Sequence, residues 1–332
     1  MAMIAASAAP SALLPRSDSI RTEAGADRKS TIKEAIVTHL AHRITILLAV
    51  FALASPQAAS AADPDWPQVA SSLGRPLPAP SADGVYRFGL PRSDLKVVVD
   101  GVAIKPALAL GGWLAFMPMS GGTMVMGDLL LAQDEIGPVM KRLLEGGIEI
   151  SAIHNHLLRA EPSPIYMHVS AFGDPQRLAS TFHDALKRSR LPPASPPTNE
   201  KIALDVEALD AIVGAKGAAN GGVYQYTIAR SEQVKDSGMV VPPALGSAHV
   251  VNFQPTGDGK AAVTGDFVLL ADEVKLVQRD LVSKGIEVTA LHSHMLKEEP
   301  RLFFMHFWAN ADAATLAKTI RQALDRTKVK RD

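Results

Sequence analysis

The stretch AIHNHLLRAEPSPIYMH, residues 152–168, returns as ALHSHMLKEEPRLFFMH at 290–306, and the offset of 138 residues holds well beyond these two motifs. Gly84-Val85-Tyr86 matches Gly222-Val223-Tyr224, Glu135 matches Glu273, and Gly147-Ile148-Glu149 matches Gly285-Ile286-Glu287. Between 127–168 and 265–306, 18 of 42 positions are identical without a gap. A duplication of this kind commits the chain to two copies of one fold. Each copy is large enough for a domain, unlike a solenoid unit. The proline-rich LPPASPPTNE, 191–200, reads as a linker between them. The expected organisation is an N-terminal extension at 1–61, repeat one at 62–190, the linker at 191–200, and repeat two at 201–332.

Within a repeat the pattern predicts an α+β fold, a mostly antiparallel sheet with flanking helices, and hence two tandem pseudo-symmetric units. A short helix around Trp66–Leu73, matched by Val206–Val213, precedes four strand-like segments, GVYRFGLP, KVVVDGV, GGWLAFMPM and TMVMGDLLLA. In DEIGPVMKRLLEGG the apolar residues fall at 136, 139, 140, 143 and 144, a helical stripe closed by glycines. IEISAIHNHLL and PIYMHVSAF then read as two strands around a Glu161-Pro162 turn. A last helix begins with Asp174 as N-cap and Pro175 in its first position.

The motif holds three histidines per repeat, six of the ten in the chain. In a strand His154 and His156 project to the same face. A hairpin centred on Glu161 sets His168 opposite His154, so three imidazoles converge. Imidazole is the commonest metal ligand, and three protein ligands with an open position is the pattern of catalytic zinc sites. His154, His156 and His168 are therefore the expected metal ligands of one site, and His292, His294 and His306 those of a second. Zinc, or a similar divalent ion, is the expected cofactor. Glu161 and Glu299 are the candidates for a fourth ligand or a catalytic general base. Asp128 and Asp266, each in a Gly-Asp pair ending a strand, are the candidates to orient an imidazole by hydrogen bonding; an ordinary bulge or turn is the competing reading of that pair. Tyr166, Phe303, Phe304, Phe307 and Trp308 read as sheet core, and Met167 and Met305 point away from the histidines by parity. The spacing H-x-H-x4-E is that of the first cupin motif, but the next histidine follows Glu161 by only seven residues and helices interrupt the strands.

Composition narrows the chemistry further. The 34 basic and 34 acidic residues balance, and no basic run interleaves with aromatics, so nucleic-acid binding has no electrostatic support. Cysteine is absent, which excludes disulfides, thiolate metal sites and cysteine nucleophiles. Near the N-terminus a basic Arg43, a mostly apolar run from Ile44 to Ala54, and Ala59-Ser60-Ala61 follow the order of a secretory signal. The apolar run reaches only about 16 Å as a helix, too short for a bilayer core. Export to the periplasm or medium is expected, with cleavage near Ala61, which N-terminal sequencing reads directly. No stable membrane anchor is then expected in the mature chain.

With GDFVLLADEVKLVQRDLVSKGIEVTALHSHMLKEEPRLFFMHFWA (265–309) in view, the chain resembles the LppY/LpqO family of exported proteins, over roughly residues 62–328 of both repeats. That resemblance implies export and a duplicated domain of unknown function, and it supplies no reaction. Repeat one departs from the motif more, with SPIYMHVSAF in place of RLFFMHFWA. The combined expectation is an exported two-repeat protein with a divalent-metal site in each repeat; whether the site catalyses is left open, a metal-dependent hydrolase or lyase being one candidate activity. The competing expectations are a metal-free binder of a small-molecule ligand and a structural envelope protein.

Overall fold

Strand alternation and helical stripes settle into closely similar orders in the two halves of the chain, the second adding two short strands. The computed structural model describes residues 63–194 and 200–330. The expected signal segment and the centre of the proline-rich linker lie outside the described residues. Repeat one runs α1 (Trp66–Leu73), β1 (Tyr86–Pro91), β2 (Val98–Val99), β3 (Val102–Ala103), α2 (Pro106–Ala109), β4 (Gly111–Met119), β5 (Gly122–Leu131), α3 (Gln133–Glu145), β6 (Glu149–His154), β7 (Ile165–Gly173) and α4 (Pro175–Leu186). Repeat two runs α5 (Val206–Val213), β8 (Ala218–Asn220), β9 (Val223–Ala229), β10 (Lys235–Asp236), β11 (Met239–Val240), β12 (Ala248–Gly257), β13 (Lys260–Leu269), α6 (Ala271–Val282), β14 (Glu287–His292), β15 (Glu298–Glu299), β16 (Phe303–Asp312) and α7 (Ala313–Leu324).

Each repeat builds one main antiparallel sheet. The strand order is β1-β4-β5-β7-β6 in the first and β14-β16-β13-β12-β9-β8 in the second. The architecture is thus α+β in two tandem copies. Local chemistry explains the helix starts. Asp174 accepts from Arg177 N at 2.8 Å, and its counterpart Asp312 accepts from Thr315 N at 2.8 Å. At α3 and α6 the N-terminus is held instead by a buried arginine. Arg92 Nη1 donates to Glu135 Oε2 at 2.7 Å, and that same oxygen accepts from Ala132 N at 2.8 Å. Arg230, Glu273 and Leu270 repeat the arrangement, with Nη1 to Oε2 at 2.7 Å and N to Oε2 at 2.8 Å. The Glu135/Glu273 match in the sequence therefore belongs to the fold.

The sheets are apolar on both faces, and this decides how the repeats meet. Along β5, Val125, Leu129 and Leu131 join the core under α1, α3 and α4, while Met124, Met126 and Leu130 point the other way. Along β16, Met305 and Phe307 face the helices, whereas Phe304 and Trp308 face repeat one. Met167 likewise lies in the helix-side core, as strand parity requires. Two further cores mix the repeats. Met117, Met124 and Met126 pack with Val241, Leu245 and Phe304, and Leu108, Leu130 and Tyr166 pack with Val223, Ala262 and Trp308. The described residues of the two repeats, 63–194 and 200–330, accordingly form one compact unit.

Reciprocal hydrogen bonds lock the same interface. Ser151 Oγ donates to His294 O at 2.5 Å, and Thr289 Oγ1 donates to His156 O at 2.6 Å. Both donor and acceptor pairs are related by the offset of 138, so the contact has approximate twofold symmetry. Ion pairs follow suit. Arg159 Nη2 lies 2.7 Å from Glu287 Oε2, and Lys297 Nζ lies 3.9 Å from Glu149 Oε2.

Residues 62–190 expressed alone should therefore fail to give a soluble, cooperatively melting monomer. Each large apolar side chain left on the inner sheet face forfeits about 1.5–3 kcal/mol of burial. Thermal melting and size-exclusion chromatography check this, and a monomeric repeat with a sharp transition would contradict it.

Candidate functional site

The central strands carry the site because one glycine lets them approach. Gly127 sits in the middle of β5, and a Cβ there would meet Trp113 O at 2.7 Å and Leu114 Cδ2 at 2.6 Å. At the equivalent Gly265, a Cβ would meet Val250 O at 1.9 Å. The next residue in each strand, Asp128 or Asp266, points to the inner face. There it stands directly opposite a histidine, Asp128 across from His168 and Asp266 across from His306. The Gly-Asp pair thus lies within a strand, and the expectation that it ends one is corrected.

The hairpin register also differs from the expected one. Ala152, not His154, pairs with His168, and His154 pairs with Tyr166, a displacement of two residues that centres the turn on Ala160; a bulge between Ile150 and Ala152 lies further along the pair. The second repeat keeps the same register, with Ala290 opposite His306, and the same bulge between Val288 and Ala290. The shift is even, so His154 and His168 still share a face. His156 and His294 lie just beyond the ends of β6 and β14 and turn inward from the following loops.

Two separate three-histidine sites were expected, and the structure merges them. All six imidazoles form one cluster between the sheets. His154 and His292 stack across the pseudo-twofold at 3.7 Å between ring centroids. His156 stacks on His306 at 3.7 Å, and His294 lies tilted over His168 at 3.8 Å, so the close partners come from opposite repeats. His168 Nε2 and His292 Nε2 are 3.3 Å apart. Tyr166 lies flat on His156 at 3.3 Å, and Phe304 lies flat on His294 at 3.4 Å. These two rings belong to the sheet core, as their composition suggested, and they also brace the outer imidazoles. Sequence reasoning missed that second task, although both occupy the position two residues before the third histidine.

The aspartates close the cluster. Asp128 Oδ2 is 3.5 Å from His156 Nε2, and Asp266 Oδ2 is 3.3 Å from His294 Nε2. His306 Nδ1 lies 2.8 Å from Gly265 O, a carbonyl that can only accept, so Nδ1 carries the proton and Nε2 keeps its lone pair. Glu161 and Glu299 do not join the site. Both side chains are exposed, and their backbones are engaged elsewhere, Glu161 with Val98 and Glu299 with Lys235. The carboxylates that meet the histidines are the aspartates.

Burial sets the charge state. It lowers the His154 imidazole to about 2, helped by its neighbours His306 and His294. His156, His168, His292, His294 and His306 are lowered for the same first reason. The six rings are therefore neutral at pH 7, with lone pairs free for ligation. Burial also raises Asp266 to about 6, and it raises Asp128 well above the carboxylate range with a further push from Asp266. In four overlapping sets of three, the potential ligand atoms lie within 4.8 Å of one another: His154-His156-His168, His154-His292-His306, His168-His292-His294 and Asp266-His294-His306. Two of the four draw on both repeats.

A cleft of about 1030 Å³ opens onto the cluster, reaching Asp128, Asp266, His156, His294 and His306 from both halves. Trp113 and Arg87 line its wall, with the guanidinium carbon 3.6 Å from the indole centroid. Nothing in the sequence motif marked either residue.

No curated protein matches the chain. Among solved structures, a trimeric bacterial microcompartment shell protein, PduB, is similar over 77% of this chain and 96% of its own, at 10% identity and a TM-score of 0.21. EtuB from Clostridium kluyveri is similar over 75% and 90%, at 8% identity and a TM-score of 0.19. Likeness at such scores carries no argument about fold or function. The model of the family described as Domain of Unknown Function (DUF1259) matches residues 68–188 and again 207–326, one copy in each repeat. The chain belongs to that family and carries its domain twice in tandem.

Proposed function

We propose that this is an exported divalent-metal protein whose single centre is built jointly by the two repeats, with zinc as the resident ion. The observation that carries the reading is a concentration of buried polar atoms without hydrogen-bond partners. They are Oδ1 of Asp128 and Asp266, both ring nitrogens of His154, Nδ1 of His292, and Nε2 of His156, His294 and His306. Each such atom costs about 1–3 kcal/mol when left unsatisfied. Cations at the centre of the cluster satisfy them together. The donor chemistry fits, since neutral imidazoles with carboxylates are ligands for zinc and similar ions. The 3.3 Å between His168 Nε2 and His292 Nε2 also suits two ligands of one ion. Bonds of 2.0–2.1 Å in a tetrahedron separate the ligand atoms by about 3.3 Å.

The cleft makes this centre reachable by a small molecule, which favours a metal-dependent hydrolase or lyase over a purely structural site. Asp128 and Asp266 take the proton-accepting role first considered for Glu161 and Glu299. Membership of the exported LppY/LpqO group, signal cleavage near Ala61, and a periplasmic or secreted location complete the reading. They rest on the motif at 265–309 and on the residues preceding Ala62.

A shared centre makes its histidines interdependent. In tag-free full-length protein purified without nickel resin, metal content by mass spectrometry should fall to the same low level in His154→Ala and His292→Ala. The double variant should lose little more than either single one. Independent halving by each substitution would point to two separate sites, and no metal in the natural protein after zinc incubation would end the metal reading.

Acid stability offers a second test. A histidine with a depressed pKa in the fold takes up its proton only on unfolding. Stability is therefore present above pH 6.5 and is lost as the pH falls, by up to about 1.4 kcal/mol per pH unit for each ring. The raised aspartates act in the opposite direction, Asp266 below about pH 6 and Asp128 in the same sense, but two groups oppose six. The metal-free protein should therefore lose melting temperature steeply below about pH 6.5, and zinc should shift that loss to lower pH by competing with protons. Identical pH profiles with and without zinc would count against the proposal.

A further inference from the structure

We propose that Arg87 is an anion-binding residue, and that the cleft takes a small organic carboxylate whose charged end Arg87 holds beside the histidine–aspartate centre. The proposal deepens the reading above and relies on the metal only for what the rest of the ligand meets.

Internal symmetry separates structure from function at this position. Arg87 Nη1 donates to Ala244 O at 2.8 Å, tying β1 to the loop of the other repeat. Its counterpart at the offset of 138 is Gln225, whose Nε2 donates to Ala107 O at 2.9 Å. A neutral amide thus performs the bridging task in one half. The positive charge in the other half is surplus to it.

That charge is placed where a ligand would meet it. Dense walls surround Arg87, yet its side chain stays accessible to solvent within the cleft, and burial lowers it only to about 10, so it remains a cation. The Trp113 face supports the guanidinium from one side. Among the described residues no carboxylate oxygen comes within 4.0 Å of it, although Asp128 and His294 lie within its electrostatic reach. The guanidinium therefore retains unpaired donors beside the centre, in the fork geometry that matches a carboxylate. Two other cations line the cleft: Lys105 is paired with Glu200, and Arg75 donates through Nη2 to Pro192 O at 2.9 Å. Of the three, Arg87 is the one whose charge reaches Asp128 and His294, and a single guanidinium beside the centre suits a carboxylate better than a phosphate dianion.

Arg87→Gln copies the other repeat and should leave the fold intact. Calorimetric titration of the full-length protein, zinc-loaded and chelator-treated, would use benzoate, with inorganic phosphate and uncharged benzamide as comparison arms. Benzoate should bind the natural protein, and Arg87→Gln should weaken it at least tenfold with an unchanged melting temperature. Arg87→Lys should fall between the two, and phosphate and benzamide should bind at least tenfold more weakly than benzoate. Equal benzoate affinity in Arg87→Gln, tighter binding of phosphate, or no binding of benzoate would each overturn the proposal. Arg87-dependent binding in protein that takes up no zinc would sustain this inference and remove the metal reading. Zinc uptake with Arg87-independent benzoate binding would do the reverse.

Discussion

Burial of six imidazoles and two carboxylates between two sheets is the constraint on which the rest of the structure depends. Polar groups removed from water without partners oppose folding. Here they are enclosed by apolar packing on either side, methionines and Phe304 on one flank, Tyr166, Leu130 and Trp308 on the other. Glycine at 127 and 265 brings neighbouring strands close enough for Asp128 and Asp266 to reach the histidines. Ser151 and Thr289 tie each histidine loop to the opposite repeat. The two repeats behave as one unit because each leaves an apolar inner sheet face that the other covers.

Approximate symmetry also identifies where the halves have parted. The rings, aspartates, bulges and reciprocal hydroxyl contacts all recur at the offset of 138. Arg87 against Gln225 does not, nor does Trp113 against Val251. The cleft is consequently polar in charge as well as in position, cationic on the repeat-one wall. An approach route with one charged side orients an entering ligand, whereas a fully symmetric pore would accept it in two ways.

Much of the fold was legible in the sequence. Helices Trp66–Leu73 and Val206–Val213, strand Gly111–Met119 and the Asp174 cap stand where periodicity and capping chemistry place them. The six histidines were legible as a group because duplication isolates them. Their merger was not, since a motif repeated 138 residues apart is equally consistent with two sites. The overlooked signal was TMVMGDLLLA, a nearly continuous apolar run. Such a strand is buried on both faces, and each repeat has helices for only one of them. The second face had to be covered by the other repeat. Glu161 misled because its place at a turn, midway between histidines, says nothing about where its side chain points. A turn centred on Ala160 rather than Glu161 moved the register by two residues without moving the face, which is why the histidines were placed correctly from an incorrect pairing.

The most direct test is an anomalous difference map from crystals of the zinc-loaded protein, recorded at the zinc edge. Peaks within the imidazole cluster, each ligand set reaching into both repeats or into the Asp266-His294-His306 corner beside them, are what a jointly built centre predicts. Zinc held only by His154, His156 and His168 in one place and by His292, His294 and His306 in another, with no shared ligand environment, would contradict it, as would zinc bound anywhere outside the cluster.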